Sequence, residues 1–133
     1  MIWLLDTNIV SLLMREDAGI ARWLSSVTAG DRLAVCPVIR GEILFGIARL
    51  AQGQRRRELE MKARQLFAAL PCEPVPASAG DHYAELKLAQ QRHGLSLDEN
   101  DLWIAATALA IGATLVSRDK DFGRIETLPL LTP

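Results

Sequence analysis

Cysteine and histidine are scarce in this chain, two of each in 133 residues. Cys36 and Cys72 stand far apart, form no CxxC and have neither His82 nor His93 clustered with them, which argues against a zinc site. They are expected as two buried thiols in a reducing compartment. Long apolar runs are missing too. The longest, such as Ile104–Ile111, fall well short of the roughly 20 residues that span a bilayer. The opening Met1-Ile2-Trp3 has no basic stretch and no small-residue cleavage site after it, so no signal peptide is expected and the chain is expected in the cytoplasm. Neither sign of charge is in excess. Lys and Arg total 15 against 16 Asp and Glu, a net charge of −1. An overall basic protein is thereby excluded, and any contact with nucleic acid must come from a local patch. Repeats, linkers and low-complexity segments are absent. What remains is a chain of which 50% is hydrophobic, enough for a real core and read as one domain over residues 1–133.

The pattern alternates strands and helices. Ile2–Leu5 reads as a buried strand, followed by a helix through Met14 capped by Thr7 or Asn8. A second helix carries Ile20, Trp23, Leu24 and Val27 and stops at Gly30. Leu33–Cys36 reads as a strand ended by Pro37. Ile39, Ile43, Leu44, Ile47 and Leu50 form one stripe of a helix over Val38–Leu50 that also carries Glu42. Further helices are expected over Gln54–Leu70, from a Ser78 cap to His93 before Gly94, and over Asp98–Ile111 with Gly112 as its C-cap. "TLVS" at Thr114–Ser117 is a strand, and Leu128–Leu131 a last edge strand. The expected class is α/β with a mainly parallel sheet, with helix pairs forming an arm beside it.

The acids fall at telling places. Asp6 ends the first strand, Asp119 follows "TLVS" by one residue, and Asp101 lies in the first turn of the helix before that strand. Ligands of open parallel sheets bind beyond the carboxyl ends of the strands. Glu42 begins on the same edge and sits on an otherwise apolar helix, where a carboxylate needs a partner. Each of the others has an ordinary role open to it. Asp101 suits the helix dipole, Asp98 can cap the same helix with Asp101 as its capping-box partner, and Asp119 can close an Asx-turn. Jointly, converging carboxylates repel one another and raise their pKa values, a penalty that a divalent cation removes. Oxygen donors with few histidines favour magnesium or manganese, and such sites suit phosphodiester hydrolysis.

At these residues the sequence resembles the PIN-domain nucleases, and within them the VapC toxins of bacterial toxin–antitoxin pairs. The matching pieces are "LLDTNIVS" at Leu4–Ser11, "GEILFGI" at Gly41–Ile47 and "NDLWIAATALAIGATLVSRDKDF" at Asn100–Phe122, in order over nearly the whole chain. Ser117 stands where the family often has Thr, which keeps the hydroxyl. The resemblance implies a PIN-like α/β/α sandwich whose metal site, for Mg2+ or Mn2+, is made by Asp6, Glu42, Asp101 and Asp119. Asp6 and Asp101 would be direct ligands. Asn8 would bond to Asp6 or substrate, and Ser117 would support the carboxylates. Asp98 and Asp121 are weaker candidates, and Asp121 can trade roles with Asp119. The implied activity is metal-dependent endonucleolytic cleavage of RNA, transfer or ribosomal, without a covalent intermediate or a general-base histidine. The implied partners are a VapB-type antitoxin whose tail crosses the active-site groove, a second copy in a homodimer, and promoter DNA reached only through the antitoxin.

Other readings are weaker. A haloacid-dehalogenase phosphatase needs a second Asp where Asn8 stands, and a phospho-receiver domain needs an acidic pair that the first strand lacks. A PIN nuclease of RNA maturation without an antitoxin, or a non-catalytic PIN binding module, is compatible with the same motifs. Arg55-Arg56-Arg57 suits a solvated helix face better than an RNA grip. Arg40 and Arg118 either touch phosphate or pair with neighbours. Trp3 and Trp103 are expected to pack rather than stack on bases.

Overall fold

In a computed structural model, which describes residues 1–94 and 97–133, the chain forms β1 (Ile2–Leu5), α1 (Thr7–Met14), α2 (Ala18–Ser25), β2 (Arg32–Ala34), α3 (Pro37–Ala48), α4 (Gln54–Ala69), α5 (Ser78–His93), α6 (Glu99–Ile111), β3 (Thr114–Val116), a 3-10 turn (Lys120–Arg124) and β4 (Leu130–Leu131). The four strands form one parallel sheet in the order β2-β1-β3-β4. Helices cover both faces, as the near-continuous apolar strands require. This is the α/β/α sandwich expected from the sequence.

The central strands carry the core. Leu4 and Leu5 of β1 and Leu115 and Val116 of β3 are wholly buried, against Ile9 and Val10 of α1, Ile39 of α3 and Leu102 and Ile104 of α6. Trp3 pairs with Leu33 on one side and Thr114 on the other. Trp3 packs edge-to-face on Trp23, and Trp103 stacks on Tyr83, so both serve packing. Helix α3 pairs with α4 and α5 with α6 beside the sheet. No described helix is long and apolar enough to cross a membrane.

Several local expectations need correction. Asp6, not Thr7 or Asn8, caps α1, because its carboxylate reaches the Thr7 N–H. Helix α2 ends at Ser25 with Ser26 as its cap, well before Gly30. Helix α5 starts behind Ala77 with no side-chain cap, so Ser78 is its first residue rather than its cap. Strand β2 ends at Ala34, and the next residue, Val35, makes an isolated parallel bridge to Cys72. That bridge lies at the sheet margin, and Cys72 is exposed there while Cys36 is buried. β3 ends at Val116 and β4 is confined to Leu130–Leu131, though Pro129 still accepts the Leu115 N–H through its carbonyl. Gly94 and Gly112 end α5 and α6 with φ of 66° and 68°, the left-handed conformation in which glycine escapes the Cβ clash.

Candidate active site

Parallel pairing puts the carboxyl ends of all four strands on one edge. Asp6 is the first residue past β1 and is buried. Its own N–H bonds to the Val116 carbonyl at 3.0 Å, extending the ladder one residue and fixing Asp6 beside the end of β3. Oδ1 accepts the Thr7 N–H at 2.8 Å, and Oδ2 accepts the Ser117 hydroxyl at 2.7 Å.

Ser117 is fully buried and serves as a hub. Its Oγ also accepts the Asp119 N–H at 3.0 Å and Nδ2–H of Asn8 at 3.4 Å. Asn8 Oδ1 in turn accepts the Arg118 N–H at 3.4 Å. The Asn8 amide thus meets Ser117 and the Arg118 backbone, not Asp6, because the helical turn beginning at Thr7 swings it over the end of β3. Arg118 is engaged by Asp17 at 3.4 Å and the Pro133 carbonyl at 3.1 Å, and Arg40 lies over the Phe67 ring.

Glu42 enters from α3. It is half-buried, and its Oε1 accepts the Thr7 hydroxyl at 2.7 Å. Sequence reasoning saw Thr7 only as a cap. The available signal was a hydroxyl directly behind the strand-end Asp. Asp98 caps α6 by accepting the Asp101 N–H at 2.8 Å. Only this half of the expected capping box forms. Asp119 caps the 3-10 turn through the Asp121 N–H at 3.0 Å.

The electrostatics tie these segments together. Burial pushes the Asp6 carboxyl above its ordinary 3.8, the bonds from Ser117 and Thr7 oppose it, and the charges of Glu42 and Asp119 add to it. Burial, then the charges of Asp98, Asp6, Asp119 and Glu42, push Asp101 up to about 7. Among the described residues no three His, Cys, Asp or Glu side chains are gathered closely enough to ligate one ion as they stand. The donor set nevertheless fits a hard divalent cation. It is all oxygen, each Asp6 oxygen keeps a lone pair beside its single hydrogen bond, and the Asp101 carboxyl resists ionising without a counter-charge.

Comparison with known proteins gives the same picture. Ribonuclease VapC1 of Haemophilus influenzae is 30% identical over 131 residues, covering 96% of this chain and 95% of its own. Toxin FitB of Neisseria gonorrhoeae is 32% identical over 125 residues, covering 87% and 86%. Among solved structures, VapBC2 from Rickettsia felis bound to a promoter DNA fragment superposes with a TM-score of 0.89 at 26% identity, covering 98% of each chain. The family model described as PIN domain matches residues 3–128. A sheet whose carboxyl edge collects acids from four segments, together with a match over nearly its whole length, makes this chain a member of the PIN-domain family.

Proposed function

We propose that this protein is the toxin ribonuclease of a toxin–antitoxin pair, a hydrolase that cuts RNA within the chain with Mg2+ or Mn2+. The observation that carries the reading is the convergence of Asp6, Glu42, Asp101 and Asp119 on one edge, close enough for each of the other three charges to bear on Asp101. The names of the relatives, ribonuclease VapC1 and toxin FitB, support it. Asp6 and Asp101 would hold the cation, with Glu42 and Asp119 completing the set or binding its waters. When bound, the cation would neutralise the carboxylates, polarise a phosphate oxygen and lower the pKa of water.

The chain's own groups do the positioning. Ser117 and the Thr7 N–H hold one Asp6 oxygen each, and the Thr7 hydroxyl aims Glu42. Asn8 and Ser117 together fix the Arg118–Asp119 backbone. Ser117 is fully buried, which places it as a support for Asp6 and not as the attacking group. The attack is assigned to water, with no covalent enzyme intermediate.

A VapB-type antitoxin would neutralise the toxin by laying a tail, cationic at its tip, across the acidic edge. Homodimers of the toxin, the toxin–antitoxin hetero-oligomer and contact with promoter DNA through the antitoxin complete the proposal. The test is RNA-end sequencing after brief expression, beside Asp6→Asn. The parent should produce new ends that chelation abolishes in vitro and added Mg2+ or Mn2+ restores, and Asp6→Asn should produce none. Cutting by Asp6→Asn at the parent rate would overturn the assignment.

A further inference from the structure

From the acidic edge a groove of about 450 Å³ runs between α1, α3 and the start of α4. Thr7 and Glu42 form its acidic end. Thr7 and Ser11 line it from α1 and Arg15 from that helix's C-cap, spaced four residues apart and so along one face. Eight residues at about 1.5 Å each place Arg15 roughly 12 Å along the helix from Thr7. Arg55, at the start of α4, lines the groove as well. The floor is apolar, from Ile43 and Ile47 of α3 to Leu59 of α4.

Both arginines are exposed, and among the described residues neither forms an ion pair, whereas Arg56, Arg32 and Arg118 each do. Arg55 also stands in a costly place. The first turn of α4 has no acid and no side-chain cap, so a guanidinium there adds to the positive end of the helix dipole. The groove thus has an acid at one end, two arginines along its walls and an apolar bed between them.

We propose that this groove is the subsite for the RNA strand next to the scissile phosphate. The phosphate to be cut lies at the acidic end with its cation. A neighbouring nucleotide rests its base on the apolar floor, and Arg15 and Arg55 hold its flanking phosphates by charge-assisted hydrogen bonds. The volume is within the range of sites for one such unit. Charge complementarity selects this occupant, because a polyanion gains contacts at both arginines and reaches the acids only where a cation covers them. The inference refines the ribonuclease reading and rests on it.

The test uses the whole protein and a short fluorescein-labelled single-stranded RNA of mixed sequence. Binding is followed by anisotropy in chelator across a salt series, and cleavage is followed separately in Mg2+. Against the parent, Arg15→Ala/Arg55→Ala should weaken binding about tenfold or more. It should lower the slope of log K against log salt by about 1 for each arginine, and raise KM with kcat unchanged. Arg57→Ala, an exposed arginine of the same helix outside the groove, should leave all three readouts at the parent's values. Thermal melting of the variants checks that the fold is kept. An unchanged salt slope and KM in the double variant overturns the subsite, as does failure of the parent to bind the RNA. Loss of antitoxin affinity with RNA binding intact also overturns it and gives the groove to a protein partner. Parent binding that responds to the arginines without any metal-restored cleavage overturns the nuclease reading instead.

Discussion

Asp101→Asn should make the metal-free protein more stable, which is the reverse of what most substitutions do. The Asp101 carboxyl moves from an ordinary 3.8 to about 7 in the folded chain, first through burial and then through its acidic neighbours. At about 1.36 kcal/mol for each pH unit this corresponds to about 4 kcal/mol. The group is only half-buried, and screening by water reduces the figure to about 1–2 kcal/mol. The sign follows from linkage. Well below 3.8 the carboxyl is neutral in both states and costs nothing. As pH rises from 3.8 toward 7 the unfolded chain ionises while the folded one does not, so the parent loses stability, and above 7 the loss is constant. Asn keeps the shape and the backbone bond to Asp98 without the charge. In chelator at pH 8 the variant should therefore melt about 4–8 °C above the parent. The gap should close toward pH 4 and reverse in saturating Mg2+, which stabilises only the parent. Calorimetry over that pH series checks it. A variant that melts at or below the parent at pH 8 without metal refutes the claim that these acids repel one another.

Other expectations follow from individual contacts. Ser117→Ala removes the donor to a buried Asp6 oxygen and should cost about 1–3 kcal/mol in chemical denaturation, with RNA cleavage reduced. Thr7→Val frees Glu42 but alters little packing, so cleavage should fall about 10–100-fold while the melting temperature barely moves. Mg2+ at a hundred times its dissociation constant should stabilise the parent by about 2.7 kcal/mol in a thermal-shift titration and leave Asp6→Asn unmoved. Glu16 sits at φ 56° in the turn after α1, so Glu16→Gly should raise stability by about 0.5–1 kcal/mol in the same melt.

Much of the fold was legible because its signals are local. The apolar run Ile2–Leu5 and the αL glycines after α5 and α6 each act within a few residues, and the structure has them where the pattern put them. The strand order β2-β1-β3-β4 is not local. It decides that Ser117 lies beside Asp6, more than a hundred residues away, and periodicity carries no trace of it. The motifs reached those residues through the family resemblance. Side-chain direction was legible least. Asn8 turns to Ser117, the Thr7 hydroxyl goes to Glu42, and Cys72 faces solvent at the sheet margin. Each is settled by tertiary neighbours that no window of sequence contains. In the sequence Arg55 is one of three alike in an "RRR" run. The helix start makes them differ, pairing Arg56 with Glu60 and leaving Arg55 over the groove.

Strand β1 waits a long time for one of its partners. Its neighbour β3 begins only at Thr114, so a nascent chain carries Asp6 through more than a hundred further residues before Ser117 is there to receive it. The last acid, Asp119, emerges later still. A chain cut before Thr114 would keep the first motif and yet lack both the strand that flanks it and the hydroxyl that holds Asp6.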